Sequence, residues 1–108
     1  HGQIVNVPLP SGHTGAQARE VWQRICARVL DWRPQLILVS AGFDAHADDP
    51  LASLMWRERD FAAITRMICD TGRACAAPVV SALEGGYDLA ALGRSARAHV
   101  EVLKETAA

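Results

Sequence analysis

An excess of charge of either sign is missing from this sequence. Lys and Arg number 11 against 12 Asp and Glu in 108 residues, for a formal net charge of -1. Non-specific nucleic-acid binding draws on a strong positive field, so direct nucleic-acid binding is not expected. A basic substrate stays open, because one small acidic cleft need not shift the total. Long hydrophobic runs are missing too. The longest are far too short to cross a bilayer, and no membrane partner is expected. No charged leader followed by an apolar stretch and a small-residue cleavage site is visible, and the expected compartment is cytoplasmic. Cysteine is scarce and unpatterned: Cys26, Cys69 and Cys75 match neither a zinc knuckle nor a Cys-x-x-Cys pair. Cys26 and Cys69 fall in helical patterns and read as buried, Cys75 follows a turn, and the three read as core or half-buried thiols of a reducing compartment. There is no internal repeat beyond an alternation of element types, and no low-complexity tract.

What is present is enough for one modest domain with a packed core: 108 residues, 50% of them apolar. The sequence opens on His1, and residues 1–10 read as the middle of a domain. Ile4, Val5 and Val7 give a short strand signal, stopped by Pro8 and Pro10. A polar loop from Ser11 to Gly15 follows. Residues 16–31 then turn helical, with Val21, Trp22, Ile25, Val29 and Leu30 along one broad face and Pro34 just past the end.

Leu36-Ile37-Leu38-Val39 is a continuous apolar run, which fits a parallel strand covered on both faces. An irregular acidic segment separates it from a helix over residues 58–71, whose apolar face is Phe61, Ile64, Met67 and Ile68 and whose terminator is Gly72. Residues 78–83 are the third strand and residues 89–104 the last helix. Strands alternating with helices predict an α/β domain with a parallel sheet. Sites in such sheets form beyond the carboxyl ends of strands. The segments after Val39 and after Leu83 lie at such ends.

Both segments hold residues able to do chemistry. Asp44, His46, Asp48 and Asp49 crowd the first. Carboxylate oxygen and imidazole nitrogen suit zinc, and Pro50 biases Asp49 towards an extended backbone that aims a ligand. The same residues serve equally as solvated turn and cap residues. In the second segment, Glu84-Gly85-Gly86-Tyr87, a tyrosine after two glycines can project its hydroxyl towards a developing oxyanion. A structural tyrosine is the alternative. Glu84 either holds the turn through backbone hydrogen bonds or lies at the surface. His99, in the last helix, reads as a packing or surface residue, and the role of His13 is open.

Ser40-Ala41-Gly42-Phe43-Asp44-Ala45-His46, Asp48-Asp49-Pro50-Leu51-Ala52 and Leu83-Glu84-Gly85-Gly86-Tyr87 resemble the histone deacetylase family. The likeness is closer to its class II and bacterial members, which include acetylpolyamine amidohydrolases. Ile4-Val5-Asn6-Val7-Pro8-Leu9-Pro10 is similar to the family segment that precedes this region, so the resemblance covers nearly the whole sequence in family order.

The resemblance implies a three-layer α/β/α fold of the arginase/deacetylase type, of which residues 1–108 are the C-terminal portion of a single domain. It implies zinc held by two aspartates and one histidine, with Asp49 as one ligand. It makes Tyr87 the catalytic hydroxyl and Gly85 and Gly86 the wall of the acyl-lysine channel. Asp44 and His46 belong to the motif without binding zinc directly, and with Glu84 they support the loops. The family's Asp-x-His ligands and adjacent His-His pair have no match here: His1, His13, His46 and His99 are all isolated.

The expected activity of the complete protein is therefore zinc-dependent hydrolysis of acetyl-lysine or acetylpolyamine amide bonds. The missing N-terminal part of the domain would supply the rest of the site, and these residues alone are expected to be inactive. A torn sheet would expose apolar surface, so oligomerisation is possible. The alternative is a non-catalytic remnant or pseudoenzyme segment with a structural or interaction role.

Overall fold

Thr14 starts the first helix, α1 (Gly15–Trp32). Its hydroxyl accepts from the Gln17 N–H at 3.3 Å, and Gln17 Oε1 accepts from the Thr14 N–H at 2.9 Å. This reciprocal pair satisfies N–H groups that a helix start leaves unpaired. Arg33, at φ 56, ends the helix by donating its N–H to Val29 O at 3.0 Å. The computed structural model describes residues 4–50 and 53–107.

Two strands, β1 (Ile37–Gly42) and β2 (Val79–Gly85), pair in parallel. The connection between them holds α2 (Glu58–Cys75), and α3 (Leu89–Thr106) follows β2. α2 packs against both α1 and α3. The register runs evenly from Ile37 opposite Val79 to Ala41 opposite Leu83, then jumps so that Gly42 faces Gly85. Glu84 is thus one extra residue on β2, a bulge at the carboxyl end of the sheet.

The core lies between the sheet and α2. Ala41, Phe43, Ala45, Trp56, Phe61, Ile64 and Ile68 are all buried there. Phe43 meets Phe61 edge to face at 5.2 Å between ring centroids, and Trp56 lies 5.5 Å from Phe61 on another side. Each such ring or branched side chain removed from water contributes roughly 1.5–3 kcal/mol. His99, on α3, is buried and stitches two layers. Thr65 Oγ1 donates its single hydrogen to Phe61 O at 2.6 Å, so at 2.8 Å it must accept from His99 Nδ1. Burial favours the neutral ring, whose Nε2 accepts from Ser81 Oγ at 2.8 Å. Burial pushes the His99 pKa below its ordinary 6.5.

Several expectations fail for identifiable reasons. Ile4, Val5 and Val7 form no strand; residues 4–10 carry no regular structure and all three side chains are exposed. A short run of β-branched residues gives a strand only where a ladder partner lies alongside, and none does among the described residues. The sheet accordingly has two strands there, not three. Nor is β1 covered on both faces. Ile37, Val39 and Val79 turn towards the helices, whereas Leu38 is 72% and Val80 53% exposed.

Gly72 does not terminate α2, which runs on to Cys75 and is capped by Ala76 at φ 54. Gly72 is small for another reason: a Cβ there would lie 2.8 Å from Val79 Cγ2 and 2.9 Å from Ala77 O. Cys69 is buried but Cys26 is only half-buried, and Cys75 ends α2 instead of following a turn; all three are free thiols.

Candidate active site

Parallel pairing puts the carboxyl ends of β1 and β2 on the same edge of the sheet. Residues 43–50 leave β1 there, and residues 86–88 leave β2 beside them. The Phe43 N–H donates to Gly85 O at 2.8 Å, extending the ladder one step past Gly42.

The first loop is held from below. The Trp56 N–H donates to Ala45 O at 3.0 Å and the Ala47 N–H to Trp56 O at 2.8 Å, so residues 45–47 gain a short parallel partner. His46 is fully buried and lies parallel to the Phe61 ring, with 6.5 Å between centroids. Its Nδ1 accepts from the Asp48 N–H at 3.0 Å. A ring nitrogen that accepts a backbone N–H carries no proton, so the proton sits on Nε2 and is donated to Glu58 Oε1 at 3.0 Å. The Asp49 N–H closes the turn on His46 O at 3.0 Å.

Asp49 is 7% exposed, and its Oδ2 accepts from the Tyr87 N–H at 2.7 Å. The structure thus brings Asp49 and the Tyr87 main chain together, while Tyr87 as a whole is 56% exposed. Gly86 precedes it at φ 137, a conformation that favours glycine, and a Cβ there would lie 2.9 Å from Leu92 Cδ1. The Asp44 carboxylate lies under both strand ends: it would be 3.1 Å from a Cβ on Gly42 and 3.5 Å from one on Gly85. Glu84, the extra residue of β2, accepts from Ser40 Oγ at 3.3 Å. Leu51 and Ala52, also in the sequence motif, lie outside the described residues.

Two neighbours of this group, Glu58 and Arg94, escaped the sequence reading. Arg94 Nε donates to Glu58 Oε1 at 2.6 Å, and Arg94 Nη2 to Asp48 Oδ2 at 3.2 Å. The guanidinium, aided by Glu58's own backbone N–H and by His46, holds the Glu58 carboxyl down to about 2. Nothing in the spacing of the two residues signals this contact, which spans 36 positions.

A histone deacetylase domain model matches residues 1–103. The chain belongs to the histone deacetylase family. Type-2 histone deacetylase 1 of Dictyostelium discoideum is 40% identical over 105 residues, which are 96% of this chain and 7% of that protein. A probable deacetylase of Methanothermobacter thermautotrophicus is 55% identical over 64 residues, or 59% of this chain and 18% of that protein. The chain therefore spans a small part of the length of these deacetylase relatives.

The crystal structure of the HDA15 HD domain superposes with a TM-score of 0.85 at 30% identity, covering 97% of this chain and 30% of that one. An acetylpolyamine aminohydrolase from Burkholderia pseudomallei shares the fold, with a TM-score of 0.79 at 24% identity over 94% of this chain and 29% of its own. The two strands and three helices are accordingly part of the α/β arginase/deacetylase-type fold.

A zinc ion in this family setting needs several donors at once. The Asp49 carboxylate has suitable chemistry and a fixed orientation. Among the described residues, however, no three His, Cys, Asp or Glu side chains converge on a point where a metal would sit. Taken alone, the described residues do not make a zinc site.

Proposed function

We propose that this chain is the C-terminal portion of a deacetylase domain whose complete protein hydrolyses acetylated amines, the amide bonds of acetyl-lysine or of an acetylated polyamine. The observation that carries the reading is the 2.7 Å bond between Asp49 and the Tyr87 N–H, at the carboxyl ends of two parallel strands. Asp49 is one zinc ligand, and the remaining ligands come from the part of the domain that precedes these residues. Bound zinc would polarise the amide carbonyl and acidify a water.

This chain's own contribution is positional and electrostatic. The Tyr87 hydroxyl donates to the carbonyl oxygen as negative charge gathers on it, an interaction stronger in the transition state than in the ground state. Gly85 and Gly86 line the channel for the acylated chain. Asp44, His46 and Glu84 hold the two loops in place.

The test is turnover by the purified complete protein, offered acetyl-lysine peptides and acetylated polyamines, before and after chelation and zinc return. Zinc-dependent release of acetate supports the reading, and the favoured substrate names the class. A folded complete protein that keeps no zinc and releases no acetate would leave the non-catalytic reading in its place.

A further inference from the structure

Side chains from three elements meet behind the Asp49 loop. Arg94 of α3 donates to Glu58, the first residue of α2, and His46 of the loop donates to the same Glu58 oxygen. Arg94 also reaches the loop directly, at Asp48 Oδ2. It therefore grips the loop at two points, through Asp48 at its surface and through Glu58 and the buried His46 at its base.

The other end of the linkage is α3 itself. The helix begins at Leu89, its cap Asp88 accepts from the Ala91 N–H at 2.8 Å, and Tyr87 directly precedes that cap. From Tyr87 the path of bonds runs through Asp49 and the loop to His46, Glu58 and Arg94, then back along α3 to Asp88 and Tyr87. It is a closed ring that ties the Asp49 loop to the start of α3.

From this ring we infer that Arg94 and Glu58 are positioning residues, which fix the Asp49 carboxylate against the Tyr87 segment without touching substrate. The inference rests on the deacetylase reading for its kinetic consequence, but its structural consequence holds with or without turnover. Arg94 is half exposed, and an ion pair this open to water adds little to global stability. Its loss therefore loosens the loop while leaving the fold standing. Small displacements at a reacting centre cost far more in rate than in stability.

The experiment uses the complete protein with Arg94→Gln, the isosteric Glu58→Gln, and both together. Amide hydrogen exchange of the segment containing Tyr87 is followed in metal-free protein, beside the melting temperature, and kcat and KM are measured with zinc restored. The expected result in either single variant is Tyr87 exchange faster by about tenfold and kcat lower by about tenfold, with KM and melting temperature nearly unchanged. The double variant should be no worse than Arg94→Gln alone, because Glu58→Gln, which keeps an amide oxygen but loses the charge, weakens the same linkage.

Unchanged exchange at Tyr87 in both singles overturns the inference. So does a rise in exchange spread over the whole domain with a fallen melting temperature, which would make the pair merely structural. If the wild-type protein shows no turnover, the deacetylase reading fails, and the exchange data still decide the positioning role. Should Arg94→Gln not fold, Glu58→Gln alone carries the test.

Discussion

The main-chain N–H of Tyr87 donates to Asp49 Oδ2 at 2.7 Å across 38 positions of sequence. The donor is backbone, so the anchor does not depend on the phenol. In the complete protein, Tyr87→Phe should keep its zinc while kcat falls by roughly 10²–10³, the usual cost of one oxyanion donor. Asp49→Ala should lose zinc on dialysis and lose turnover with it. Metal content and kcat, measured on the same preparations, separate the two effects.

Glu58 sets an acid limit. Its carboxyl falls from an ordinary 4.5 to about 2 in the folded chain, chiefly because Arg94 favours the charged form. A depressed carboxyl contributes stability that is whole above the unfolded value and lost as protons bind. The contribution is therefore complete above pH 4.5 and disappears as pH falls towards about 2. Because the pair with Arg94 is open to water the contribution is small, so Glu58→Gln should slightly flatten the fall of the urea midpoint across that window while leaving the midpoint at neutral pH nearly unchanged. An equal slope in wild type and variant would contradict the assignment.

His99 sets a limit of the opposite chemical kind but the same direction. Its folded pKa lies below 6.5, so under mildly acidic conditions the unfolded chain takes up the extra proton. Stability is whole above pH 6.5 and declines as pH falls through the folded value. His99→Gln should lose this dependence. It should also be less stable at neutral pH by about 1–3 kcal/mol, because Thr65 and Ser81 lose a buried partner. Denaturant melts at a series of pH values give both numbers.

Gly72 and Gly93 make a matched pair inside helices. A Cβ at Gly72 meets Val79 and the Ala77 carbonyl, whereas nothing lies within 4 Å of one at Gly93. Alanine is favoured over glycine in a helix by about 1 kcal/mol. Gly93→Ala should collect that gain and melt higher. Gly72→Ala should melt lower, since overpacking typically costs about 1–3 kcal/mol.

The helices were legible because their period is local. Apolar positions recurring every three or four residues locate all three to within a few residues. The sheet was less so. Ile4, Val5 and Val7 are β-branched residues suited to a strand, yet pairing depends on a neighbour that their own composition cannot supply. Gly72 looks like a stop signal, and only the approach of Val79 shows that it is a contact.

Asp49 and Tyr87 stand out in the sequence because each sits in a dense local motif at a strand end. Glu58 and Arg94 do not, because each is an ordinary charged residue of a helix. Only their meeting in space singles them out.

Glu84 has a consequence that reaches beyond its own contact with Ser40. Side chains along a strand point to alternate sides, and one extra residue opposite Ala41 and Gly42 shifts the phase of everything after it. Tyr87 comes three positions later. Deleting Glu84 would restore an even ladder and lengthen regular pairing. It would also send the chain out of the sheet half a pleat out of step, with the phenol and its main-chain N–H turned from Asp49. An irregularity that costs the sheet a paired residue is thus what gives its exit the right direction.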